Sequence, residues 1–423
     1  MSSPAQPASQ SPRRVAVIGA GAAGSMAAIF AAKAGARVTL IERTRDGGRK
    51  ILISGGGRCN VLPMRVDESR YVTDSSPNLL RKMLRSWPLA EQIAFFENEL
   101  RLTLAEEPES SKLFPFSNKA RDVRDGLLAY ATRAGATLRM NTVVTGFAPR
   151  DNGWRIECDG VSPIDVDAVI VATGGLSVPN TGSEGFGLRE LARLGHTVHP
   201  VYAALTPLVA ANSVFNTLSG VSLTVALSAR DDSTKRIATS TGGFLFTHQG
   251  YSGPAVLDVS HVAVRARAEA TASAPPSARV TVKWTDLGAD EWEAALRPQA
   301  NRTVTGALRA VLPDRLAAVL LSEANVDATR LLAELRRDER RRLIDTLVSG
   351  VLPWTGDEGY RKAEVTGGGV SLAEVDPRSM ESKRHRGLFI CGEVLDAFGP
   401  VGGYNFFWAW ATGRAAGIGA ASS

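Results

Sequence analysis

A short β-branched run, Val15 to Ile18, leads into Gly19-x-Gly21-x-x-Gly24. That turn opens an alanine-rich stretch, Ser25 to Ala34, which Gly35 closes before a second apolar run at Arg37 to Ile41. Strand, glycine turn, helix and strand in this order predict a βαβ unit of the dinucleotide-binding type. The first glycine permits the tight turn, the second lets a pyrophosphate approach the backbone, and the third lets helix pack on strand. The helix N-terminus adds partial positive charge where the phosphates would lie. Glu42 ends the second run, about where an acid accepts ribose hydroxyls, and Arg43 follows it as a further candidate contact. The fingerprint does not separate NAD from FAD, because both carry the same ADP half.

A second glycine-dense stretch follows the acid: Gly47-Gly48-Arg49-Lys50, then Ile53-Ser54-Gly55-Gly56-Gly57-Arg58-Cys59-Asn60. It is too rich in glycine for an ordinary connection and can lay bare N–H groups against a flat ring system. Arg49, Lys50 and Arg58 place cations beside the expected diphosphate. Cys59 has no partner cysteine in sequence and reads as part of this loop, not as a redox centre. Further on, Ala168 to Ala172 is a buried strand running into Thr173-Gly174-Gly175, a third candidate contact.

At about 100 to 200 residues per domain, 423 residues suggest roughly two to four domains. Apolar residues at 44% and charged residues at 22% exclude wholesale disorder and a polytopic membrane protein. Lys and Arg exceed Asp and Glu by only 49 to 43, too dilute an excess to mark a nucleic-acid partner, so none is expected. Cys59, Cys158 and Cys391 are scattered without a C-x-x-C pair, which argues for a reducing cytoplasm and against a disulfide framework. Residues 1–14 read as a disordered leader and not a signal peptide. His196 and His199 lie three apart in what reads as a strand, hence on opposite faces, and no metal site is expected.

The texture divides the rest. A nucleotide-binding domain is expected over 15–195 and again over 354–423, where Gly387 to Glu393 is a strand reaching a turn and Tyr404 to Ala416 a closing helix. Short alternating segments such as Val221 to Leu227 suggest an inserted β domain over 196–285. A helical domain follows over 286–353, and its arginine run, Arg336 to Arg342, reads as a solvated helix face of mixed charge. The fold class is α/β: a discontinuous Rossmann-like domain carrying two insertions.

Five ordered blocks resemble one known family, the bacterial two-dinucleotide-binding-fold flavoproteins that include aminoacetone oxidase and BaiN. They are GRKILISGGGRCN (Gly48 to Asn60), ATGGLSVPNTGSEGFG (Ala172 to Gly187), LFTHQGYSGPAVLDVS (Leu245 to Ser260), VTGGGV (Val365 to Val370) and ICGEVLDAFGPVGGYNFFWAWATGRAAG (Ile390 to Gly417). The resemblance runs from Val15 to Gly417. It implies one FAD, a discontinuous FAD domain, an inserted β-barrel-like domain and a helical domain. It also implies that Gly392 and Glu393 sit near the flavin ribityl and pyrophosphate. Gly402, Gly403, Tyr404 and Asn405 would start a helix aimed at the flavin pyrimidine edge.

The function expected is that of an FAD-dependent oxidoreductase acting on a small organic substrate by hydride transfer to or from flavin N5. With no second strand-turn-helix fingerprint in the chain, NAD(P)H, if used, docks transiently at the flavin. An FAD-dependent enzyme of RNA modification and a flavin-binding protein without catalysis are the alternatives. No residue is singled out as catalytic, and the oligomeric state is left open.

Overall fold

The computed structural model describes residues 11–108, 111–271, 276–299 and 301–422. The leader expected over 1–14 lies outside the described residues as far as residue 10, and Arg14 already begins the first strand. The chain divides into two compact units, Met1–Val201 with Val365–Ser423, and Tyr202–Glu364.

The first unit is built on a five-stranded sheet. β1 (Arg14–Ile18), α1 (Ala22–Lys33) and β2 (Arg37–Ile41) form the βαβ unit. After β2 come α2 (Arg49–Ile53), β3 (Leu62–Pro63), β4 (Leu104–Glu107), β5 (Lys112–Pro115), β6 (Thr137–Arg139), β7 (Val144–Arg150), β8 (Gly153–Cys158), β9 (Val161–Val166) and β10 (Ala168–Val171). The sheet order is Leu388–Ile390, β10, β1, β2, β6, and every pairing is parallel. Strand order therefore reverses beside β1, and in open parallel sheets the crevice beyond such a point is where ligands bind. β10 and the strand Leu388–Ile390 are buried along their whole lengths, as strands covered on both faces must be. Two antiparallel sheets accompany it, β3-β5-β4 and β7-β8-β9.

α1 is apolar on nearly every face, which fits burial on both sides and not a solvent-facing helix. One side lies on the sheet. The other takes the helix Tyr404–Ser422, whose Gly413 and Gly417 fall one turn apart where a Cβ would overlap the carbonyl oxygens of Ala23 and Ala27. Small residues thus bring the two backbones together.

The second unit carries a seven-stranded sheet in the order Gly350–Leu352, Ala278–Lys283, Ser222–Asp231, Arg236–Phe246, Gly250–Ser252, Leu208–Val209, Gly356–Asp357. Phe246 and Trp284 from its strands share one hydrophobic cluster with Leu316 and Leu343 from the helices of 286–353. The arginine run is laced with carboxylates: Arg336 meets Glu339 at 3.0 Å, Arg340 meets Glu293 at 3.0 Å and Arg342 meets Asp338 at 2.9 Å. Among the described residues, no helix is long and apolar enough to cross a membrane.

Candidate functional site

Each glycine of the first turn meets a different constraint. Gly19 has φ +101°, and a Cβ there would stand 2.6 Å from the Ala172 carbonyl oxygen; a Cβ on Gly24 would overlap the carbonyl oxygen of Gly19 itself. Gly21, at φ −79°, would meet nothing within 4 Å. The middle glycine alone fronts open space. No side chain caps α1 there, so its first N–H groups face the same opening.

Glu42 is 8% exposed, and its carboxylate is already at work. One oxygen accepts from the Ala20 N–H at 2.8 Å, the other from the Thr44 N–H at 2.8 Å and hydroxyl at 2.7 Å. A carboxylate offers about four acceptor sites, so capacity for a ribose hydroxyl is left over. The acid holds the turn and keeps acceptor capacity to spare.

Three distant segments close on this turn. The Gly48 N–H donates to the Ala20 carbonyl at 2.9 Å, which fixes the second glycine stretch against the first. Thr173 follows Ala172 beside Gly19, and its hydroxyl is buried without a partner among the described residues. Gly392 lies so near the first turn of α1 that a Cβ on it would stand 2.7 Å from that of Ala23. Glu393 follows, with one oxygen accepting from the Lys50 ammonium at 2.6 Å. The other accepts from the Ser177 hydroxyl at 2.8 Å and the Thr366 N–H at 3.0 Å. Gly174 sits beside Ser183.

The three cations expected beside a diphosphate are all taken, and so is Arg43. Arg43 pairs with Glu184 at 2.5 Å, Arg49 with Asp46 at 2.8 Å, Lys50 with Glu393 and Arg58 with Glu107 at 2.9 Å. Charge density along the sequence showed the cations but not the carboxylates that tertiary structure brings to them. The N-terminus of α1, by contrast, stays open.

A second cluster joins the glycine loop to the closing helix. The Asn60 side chain accepts from the Gly403 N–H at 3.0 Å and donates to the Leu62 carbonyl at 3.3 Å. Gly55 packs between Asn60 and the Phe114 ring, while Gly56 and Gly57 are exposed. Gly403 has φ +89°, and a Cβ there would overlap the backbone of Leu62. Asn405 and Gly399 exchange two hydrogen bonds of 2.9 Å, and the Tyr404 carbonyl accepts from the Tyr71 hydroxyl at 2.7 Å. Cys59 is fully buried, and that burial pushes its thiol up to about 12, so it is no thiolate.

Sequence reasoning missed several members of this assembly. Ser177 and Thr366 complete the Glu393 network, and the signal for them was their place inside two glycine-rich blocks. Lys112 lies against the Gly402–Gly403 turn, and nothing local marked it. His196 precedes the strand expected to hold it; its ring meets the Ser382 hydroxyl at 2.8 Å and the Leu191 carbonyl at 3.2 Å. Among the described residues, no three His, Cys, Asp or Glu side chains group as metal ligands.

The residues present fit a dinucleotide. An uncapped helix N-terminus fronts a glycine with open space before it. Beside it lies a buried acid with acceptor capacity.

The model of the HI0933-like protein Rossmann domain matches residues 13–419. A ribosomal RNA dihydrouridine synthase of Escherichia coli K12 is 32% identical over 404 residues, covering 94% of this chain and 95% of the relative. A second protein of that description, from Haemophilus influenzae Rd, is 30% identical over 409 residues, covering 94% and 96%. A 3-dehydro-bile acid delta(4,6)-reductase of Clostridium scindens is 30% identical over 415 residues, covering 96% and 99%. With the turn, the acid and the sheet order already in place, the chain belongs to the HI0933-like family of flavoproteins, FAD-dependent oxidoreductases on a Rossmann fold.

Proposed function

We propose that the protein reduces a carbon–carbon double bond conjugated to a carbonyl, and that its substrate is uridine in ribosomal RNA. One observation carries the reaction class: relatives that match almost from end to end act, by their names, on a polynucleotide base and on a bile acid, and each reduces such a bond. The substrates differ and the bond chemistry does not. Uracil C6 is the carbon that accepts a hydride, C5 takes the proton, and the charge passing through the C4 carbonyl oxygen is what the protein must stabilise.

The choice of RNA draws support from a surface that composition did not disclose. Phe116 is 74% exposed at the end of β5, and its N–H donates to the Thr103 carbonyl at 2.9 Å. Arg101, Lys119 and Arg121 lie close in sequence to that corner, are exposed, and have no ion pair among the described residues. An exposed ring among unpaired cations is the combination on which single-stranded bases stack.

Bound FAD supplies hydride chemistry. The chain holds it: the α1 N-terminus and Gly21 would take the diphosphate, Glu42 a ribose, Gly392 and Glu393 the ribityl side, and the Asn60-braced turn at Gly402–Gly403, with Tyr404 and Asn405, the pyrimidine edge. Arg43, Arg49, Lys50, Gly55, Gly56, Gly57, Arg58, Cys59, Thr173 and Gly174 line or brace that site. NAD(P)H is read as a transient electron donor. The seven-stranded sheet and helices of the second unit are read as the β-barrel-like and helical insertions.

Anaerobic holoenzyme with NADH or NADPH should convert uridine to dihydrouridine in ribosomal RNA from cells lacking the enzyme, as read by nucleoside mass spectrometry. RNA left unchanged while a 3-oxo-Δ4,6 bile acid is reduced would favour the second reading, a small organic substrate. If neither substrate reoxidises the reduced protein, the reaction class is wrong.

A further inference from the structure

Lys112 occupies a position that no sequence motif marks. β5 sets it across from Pro63 of β3 on one side and Glu107 of β4 on the other. Leu62, next to Pro63, is the residue whose backbone lies against Gly403. The side chain of Lys112 therefore runs along the Gly402–Gly403 turn, and its Cε stands 3.8 Å from where a Cβ on Gly402 would be. The glycine pair leaves room beside the lysine stem.

Its ammonium has neither ion pair nor hydrogen bond among the described residues. The carboxylate opposite, Glu107, is held by Arg58 at 2.9 Å, and Arg58 in turn lies 4.0 Å over the Phe114 ring. The site's other cations, Arg43, Arg49 and Lys50, are each neutralised as well. Lys112 is half-buried as a residue, and its unpaired charge is free to meet an anionic ligand. The helix Tyr404–Ser422 begins at the same turn, so lysine and helix N-terminus present positive charge to one place.

We infer that Lys112 is the cation that meets negative charge on the pyrimidine edge of FAD when the cofactor takes up electrons, and that it thereby sets how readily the protein is reduced. This rests on the reading that the Gly402–Gly403 turn borders that edge. The charge stabilises the reduced form over the oxidised one, so removing it shifts the couple towards the oxidised side.

Lys112→Met and Lys112→Arg, each loaded with FAD, can be equilibrated anaerobically with a reference dye of known potential. The methionine variant should hold a ratio of reduced to oxidised protein about tenfold lower than the parent at the same ambient potential, a fall of about 30 mV for a two-electron couple. The arginine variant should retain most of the parent ratio. An unchanged ratio in Lys112→Met, or equal losses in both variants, would overturn the inference, since equal losses would report packing and not charge. Parent protein that takes up no FAD would instead remove the reading beneath it. The two failures are distinguishable by the absorbance of the purified parent alone.

Discussion

The glycines of 19–24 and those of 55–57 look alike in sequence and meet different demands in the fold. In the first turn, Gly19 and Gly24 are hemmed in by backbone carbonyls, and only Gly21 is open. In the second loop all three have positive φ, yet Gly56 would meet nothing within 4 Å and Gly57 nothing nearer than 3.9 Å. Space fixes Gly19 and Gly24, whereas conformation alone fixes Gly56 and Gly57. Where space decides, a single methyl group moves a helix; where conformation decides, it strains a loop.

Gly24→Ala should give the largest effect, since its Cβ would overlap the Gly19 carbonyl and nothing rigid can yield. The loss should exceed about 4 kcal/mol and leave little folded protein, by calorimetry or expression. Gly21→Ala is its counterpart: the apoprotein should stay within about 0.5 kcal/mol of the parent while FAD affinity falls. Equal melting temperatures for the two apoprotein variants would break the contrast.

Glu42 comes next. Removing charge-assisted hydrogen bonds to a ribose costs about 1.5 to 3 kcal/mol, or roughly 10 to 150-fold in FAD affinity. Because the same carboxylate holds Ala20 and Thr44, Glu42→Ala should also lower apoprotein stability, a second loss that its strand-end position did not foretell. Fluorescence titration with FAD separates the two, and an unchanged dissociation constant would leave Glu42 with the turn alone.

Gly56→Ala should cost about 1 to 2 kcal/mol, the strain of a left-handed alanine, because no atom obstructs it. Denaturant melts of apoprotein read that strain. A parallel fall in FAD affinity would sharpen the comparison by placing ligand against the exposed loop.

The smallest effect lies away from both. Burial lowers the pKa of His196, so the folded protein keeps the ring neutral where the unfolded chain, near 6.5, takes a proton. The stability this ring supports is present above pH 6.5 and declines as pH falls through that value towards the folded pKa, by at most about 1.4 kcal/mol per pH unit. His196→Gln should flatten the slope of melting temperature between pH 7.5 and 5.5, taking about pH 6.5 as its centre. An identical slope would assign the titration elsewhere.

What could be read from sequence was local. The βαβ unit was legible because glycine spacing, alanine helix and terminal acid fall within one short segment. The fate of the cations was not: Lys50 and Glu393 are 343 positions apart, and only the sheet brings them to 2.6 Å. Lys112 was invisible for the same reason, since its neighbours are a strand some fifty residues upstream and a turn near the other end of the chain. Gly413 and Gly417 were legible in principle, as small residues one helical turn apart, but their partner surface was not.

The sheet's fifth strand, Leu388–Ile390, and the helix that covers α1 both come from beyond the second unit, so synthesis order matters. A ribosome adds about 5 to 20 residues per second, and through the whole of Tyr202–Glu364 the newly made α1 waits with one apolar side bare. The second unit, continuous in sequence, can collapse meanwhile; the first cannot. The N-terminal segment therefore closes its core only when Gly392 and Gly413, made last, arrive against α1 at Ala23.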